Sequence, residues 1–156
     1  MNNKGQIMVE ALIAITIAVV GLLGIFAFLS RSLSLNRVVA DRYVATYLAA
    51  EGIELAKNLA DASPNWGDFI NTACAGEYEI SHQDLTLSCF TGKLLKLDPD
   101  TGIYGYDLGD DTRFKRRIIV TEPQPGIEFQ AVSEVTWTGR GGGELKIDLE
   151  DRFFNF

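Results

Sequence analysis

Gly5-Gln6-Ile7-Met8-Val9-Glu10, followed by the apolar run Ala11–Leu29, decides how the rest of the chain reads. Thr16 is the one polar side chain in that run. At ~1.5 Å per residue the run is about 28 Å long, against roughly 30 Å of hydrocarbon in a bilayer. The stretch predicts a membrane-crossing helix. A carboxylate near mid-bilayer costs ~2.5–3.5 kcal/mol, so Glu10, at the border of the run, is expected to have a partner and a role. Met1–Lys4 forms a short polar leader ahead of it.

Working outward, no proline occurs before Pro64. One helix is expected from Ile7 to about Ala60, ~80 Å long by its rise per residue. Its first half is apolar all round, as a helix in lipid or in a filament core must be. Gly21 and Gly24 are its weak points. Its second half is amphipathic. Val44, Leu48, Leu55 and Leu59 fall on one stripe, which should face a core. Ala45, Ala49, Ala56 and Ala60 form a neighbouring stripe of small residues, open either to the chain's own domain or to a neighbouring subunit. Glu51, Glu54 and Asn58 lie on the polar side.

Asp61-Ala62-Ser63-Pro64-Asn65 reads as a helix stop and turn. Residues 66–92, with Trp66, Phe69 and both cysteines, read as an irregular connection holding short strands at 77–81 and 85–90. Leu94–Leu97 precedes the turn Asp98-Pro99-Asp100-Thr101-Gly102, across which Ile103–Tyr106 can pair back. Strands are expected at Phe114–Thr121, Phe129–Thr138 and Glu144–Phe153. The last two are joined by the hairpin loop Gly139-Arg140-Gly141-Gly142-Gly143. Phe129, Ala131, Val135 and Trp137 are candidate core residues, and Leu145, Ile147 and Leu149 share one face. These three strands make an antiparallel sheet whose natural lid is the leucine stripe.

Beyond the apolar helix about 100 residues remain, enough for one small domain. The 156-residue chain carries a formal net charge of −7. An acidic domain does not attract phosphate backbones, so no nucleic acid is expected as a partner. In an oxidising compartment Cys74 and Cys89 are expected to form a disulfide, worth roughly 3 kcal/mol; two free buried thiols are the alternative.

Catalytic signals are weak. Asp98, Asp100 and Gly102 give a D-x-D-x-G fragment with Asp107 nearby, a weak calcium candidate. Calcium takes six to eight oxygens, and an EF-hand loop begun at Asp98 would put Gly109 where its bidentate acid belongs. A solvated turn is expected, with no metal and no cofactor. The glycines at 139–143 join two strands rather than a strand and a helix N-terminus, so they do not form a phosphate loop. His82 is the sole histidine. No two-histidine metal set exists in one chain, and no nucleophile motif accompanies it. Lys115-Arg116-Arg117 is the one basic run, expected as a solvated strand edge.

The N-terminal pattern resembles the class III signal of type IV pilins and pseudopilins. There a prepilin peptidase cuts after a glycine, the new amine is methylated, and glutamate is fifth in the mature chain. The match sets cleavage between Gly5 and Gln6, methylation on Gln6, and Glu10 as the assembly residue. The family most often has phenylalanine where this chain has Gln6, a departure that bears on methylation more than on cleavage. Tyr47-Leu48-Ala49-Ala50-Glu51-Gly52-Ile53-Glu54 with Lys57-Asn58 is similar to PilV-like minor pilins. Gly76-Glu77-Tyr78-Glu79-Ile80, Phe114-Lys115-Arg116 and Val135-Thr136-Trp137 are similar to the same group.

The resemblance implies a type IV pilin-like α+β fold: leader 1–5, transmembrane or filament-core helix 6–30, amphipathic half 31–61, and a loop-and-sheet region 62–156. It implies a structural subunit and not an enzyme, with other pilin or pseudopilin subunits, prepilin peptidase, an inner-membrane assembly platform and membrane lipid as partners. The chain would cross the inner membrane once, with its C-terminal domain outside the cytoplasm, before entering a surface or envelope-spanning filament. Lys4 on one side and Arg31 and Arg37 on the other lean toward the opposite topology, but long domains translocate largely regardless of local charge. Two other readings stay open: a pseudopilin of a type II secretion or DNA-uptake system, and a monomeric membrane-anchored binding module. A membrane-anchored enzyme lacks its motifs.

Overall fold

The structure is a computed structural model and describes residues 3–63, 74–82, 87–139 and 141–154. Its first element, α1 (Asn3–Ala62), runs through the whole region expected to be helical and extends it at both ends. No proline or cap interrupts it, and Ser63 closes it with an amide bond to the Ala60 carbonyl and a hydroxyl bond to the Leu59 carbonyl. Residue contacts divide the chain into Met1–Ala40 and Asp41–Phe156. The second half of α1 therefore belongs with the sheet.

In the first unit the large apolar side chains are exposed, among them Ile7, Leu12, Ile17, Leu23 and Phe28. This part of α1 is long and apolar enough to cross a membrane. The Thr16 hydroxyl donates to the Ile13 carbonyl within its own helix, so no polar side chain between Ala11 and Leu29 is left unsatisfied.

In the second unit, β1 (Glu77–Ile80), β2 (Leu87–Cys89), β6 (Phe114–Gln124), β7 (Glu128–Thr138) and β8 (Glu144–Phe154) form a five-stranded antiparallel sheet in the order β2-β1-β6-β7-β8. A smaller antiparallel sheet, β4-β3-β5, is built from β3 (Lys96–Leu97), β4 (Tyr104–Gly105) and β5 (Asp110–Asp111). β5 was not expected; two residues leave too little alternation to read. The start of the expected strand 85–90, and Trp66 and Phe69, lie outside the described residues.

Alternation places the core. Along β7, Phe129, Ala131, Ser133, Val135 and Trp137 are buried, and along β6, Phe114, Arg116, Ile118 and Val120. The leucine stripe covers them: Leu48 and Leu55 are buried, each worth roughly 1.5–3 kcal/mol, and Val44 and Leu59 pack at the margin. The alanine stripe is part of the same face. Ala45, Ala49, Ala56 and Ala60 are all buried against the chain's own domain, which lets the helix backbone come close to the sheet.

The core has two apolar clusters with a polar layer between them. Ala45, Leu48, Ala49, Leu95, Phe114, Val135 and Trp137 form one cluster. Leu55, Ala56, Ala60, Tyr78, Ile80, Ile118, Val120, Phe129 and Ala131 belong to the other. Gly52, Arg116 and Ser133 occupy the level between. A Cβ on Gly52 would meet Ser133 Oγ, and Ile118 Cδ1 at 2.6 Å, so only glycine fits at this crossing.

That layer corrects the expectation for the basic run. Lys115-Arg116-Arg117 lies on the central strand of the sheet, not on an edge. Arg116 is in phase with Phe114 and Ile118 and is fully buried. Arg117 points to the other face, where it pairs with Glu77 and Glu134. Only Lys115 is exposed.

Candidate functional site

The residues singled out at the N-terminus fall together. Gly5, Gln6 and Glu10 share one side of α1 with Val9, Ile13, Ala14 and Ile17. Helical periodicity sets this: Gln6 and Glu10 are one turn apart, and Ile13, Ala14 and Ile17 continue the same side. Glu10 is exposed and has no partner among the described residues, although its neighbours on α1 are apolar. A Cβ on Gly5 would meet nothing, so the helix itself does not require glycine there. The Gly5–Gln6 peptide lies in the first turns of α1, where backbone amides lack intrahelical acceptors and helix ends fray.

A disulfide joins Cys74 to Cys89, with Cα atoms 4.9 Å apart. It fastens the residues ahead of β1 to β2, the outermost strand on that side of the sheet. Beside it, Glu79 is buried and takes the amides of Thr91, Gly92 and Lys93 on one carboxylate oxygen, at 2.9, 2.9 and 3.1 Å. The Thr91 hydroxyl adds a further bond. Gly92, at φ 77°, supplies the left-handed backbone that turns these amides inward. Sequence gave no sign of this clasp, because Glu79 reads as one polar residue in a short strand.

The acidic turn is held by its own chain. Asp98 accepts from the Asp100 amide at 3.0 Å and from the Thr101 hydroxyl at 2.7 Å, one bond to each carboxylate oxygen. These bonds, the Thr101 hydroxyl foremost, hold Asp98 below its ordinary value. Asp98 and Asp107 line one groove and Asp100 does not; the Asp107 carbonyl accepts from Lys96 Nζ at 3.3 Å. Among the described residues no three His, Cys, Asp or Glu side chains converge to hold a metal ion.

Arg116 is the polar residue that sequence reading missed. Its Nη1 donates to the Leu48 carbonyl at 3.2 Å and contacts Glu51 Oε2 at 3.2 Å; its Nη2 donates to the Ile80 carbonyl at 3.1 Å. One side chain thus ties α1, β1 and β6 together. The Arg116 carbonyl accepts from the Tyr106 hydroxyl, and burial pushes that phenol up to about 12. The signal that would have found Arg116 was its phase with Phe114, Ile118 and Val120.

Together these features define a class: an α+β chain with one long N-terminal apolar helix, its second half packed on antiparallel sheet. Comparison with family models, with curated proteins and with solved structures gives no match to this chain.

Proposed function

We propose that this chain is a structural subunit of a type IV pilus-like filament. It is made with a leader that prepilin peptidase removes between Gly5 and Gln6, and residues 6–30 hold it in the inner membrane with its domain outside the cytoplasm. The same helix then packs among other subunits. The observation that carries the reading is a helix face that is apolar on every side yet bears Glu10 one turn from Gln6, immediately after Gly5. A disulfide in the domain fits an oxidising compartment.

Assembly turns on Glu10. Buried in a lipid-like core, its carboxylate needs a cation, and cleavage creates one in the Gln6 amine. A neighbouring subunit staggered along the axis brings its own amine to this carboxylate. Removing one partner of such a pair leaves a buried charge, at a cost of ~3–5 kcal/mol. Glu10→Ala and Glu10→Gln are therefore expected to insert, fold and lose the leader, yet to fall roughly tenfold or more in sheared filaments. Fractionation against total membrane protein measures this. Normal incorporation of both variants would remove the pairing from the reading.

A further inference from the structure

A groove of about 380 Å³ opens on the sheet domain beside α1. Glu51, Glu54 and Asn58 come from the helix; His82, Ile103 and Tyr104 come from the chain opposite. The walls are partly apolar, since Ile103 is 42% exposed and Tyr104 half-buried. Glu51 is half committed to Arg116. Glu54 is exposed and has no partner among the described residues. An aromatic wall beside a free carboxylate suits a guanidinium, which is planar and stacks on rings while pairing with acids.

The same unit carries a free guanidinium. Arg42 is exposed and has no carboxylate partner among the described residues, whereas nearby Arg113 is bound to Asp41 at 2.9 Å. Arg42 and Glu51 are about two and a half turns apart, on opposite flanks of α1, and Glu54 is about a third of a turn round from Arg42. Each copy therefore presents a cationic flank and an anionic groove on different sides.

We propose that this groove receives Arg42 of a second copy of the chain, paired with Glu54 and laid against Tyr104. The inference rests on the filament reading, under which all copies enter the membrane through the same helix and stand parallel. Parallel neighbours meet through unlike surfaces. An axial stagger of roughly 14–18 Å brings Arg42 of one copy level with Glu51 and Glu54 of the next. Such a contact does not close on itself and propagates along a filament.

The test uses the full chain in cells, with Asn58→p-benzoylphenylalanine as a photo-crosslinker and peptide mapping of the adduct. The expected adduct is a peptide of a second copy containing Arg42. Arg42→Glu and Glu54→Arg should each lower its yield about fivefold, and the two together should restore it to within about twofold. Three results would overturn the proposal: yields unmoved by the single reversals, no recovery in a double variant that melts like the parent, or an adduct to lipid or to a different protein. Sheared filaments from the same cells separate the two readings. The parent chain in filaments without the Arg42 adduct counts against the groove alone, and its absence from filaments counts against the filament reading.

Discussion

Arg116 sits in the middle of an apolar core because its three partners are fixed backbone and a helix carboxylate, not because a charge is at home there. Arg116→Ala would leave the Glu51 carboxylate and the Leu48 and Ile80 carbonyls without it and would open a cavity. The Glu51 side chain keeps 32% of its surface in water, so the loss should fall at the low end of the roughly 3–5 kcal/mol seen when buried pairs are broken. Arg116→Met fills the volume without a charge and should cost at least about 1 kcal/mol less. Urea denaturation of the full chain in detergent, followed by tryptophan fluorescence, measures both. Equal losses would mean that the filled volume carries little and that the cost is that of the lost ion pair and hydrogen bonds. Gly52 belongs to the same layer: a side chain there would meet Ser133 and Ile118 and crowd the arginine's Cδ.

At the scale of elements, β2 is three residues long and largely exposed, too short to hold its place by pairing alone. The Cys74–Cys89 bond and the Glu79 clasp fix it to β1. Reducing the disulfide should destabilise the domain by roughly 2–4 kcal/mol and lower Tm by about 10 °C, while leaving the β6-β7-β8 meander folded until the main transition. Calorimetry with and without reductant checks this, and an unchanged Tm would show that Glu79 suffices.

The long elements were legible for simple reasons. Alternation over eleven residues marked β7, and a proline-free run with spaced leucines marked α1. Phe129, Ala131, Val135 and Trp137 are core residues as their spacing implied. What escaped reading depends on contacts distant in sequence. Arg116 looks solvated until a helix carbonyl and a strand end are brought to it. Glu79 looks ordinary until three amides from residues 91–93 converge on it. The alanine stripe had two possible faces to cover, and only the folded sheet decides between them. At the N-terminus the composition was legible, but among the described residues nothing pairs with Glu10.

For the whole molecule, an exposed apolar helix in one unit and a closed, disulfide-bonded sheet domain in the other divide the labour. The first leaves its large apolar side chains exposed and is long and apolar enough to cross a membrane; under the proposed function lipid and then other helices cover it. The second has its own core. A subunit that moves from bilayer to filament exchanges one cover for the other while its domain stays intact. Under the proposed function that exchange uses the new amine at Gln6, and so depends on cleavage. The direct measurement is the intact mass and N-terminal residue of the chain recovered from sheared filaments. The expected result is a chain that begins at Gln6 and keeps the Cys74–Cys89 bond. Recovery of filament protein that still carries Met1–Lys4 would contradict it.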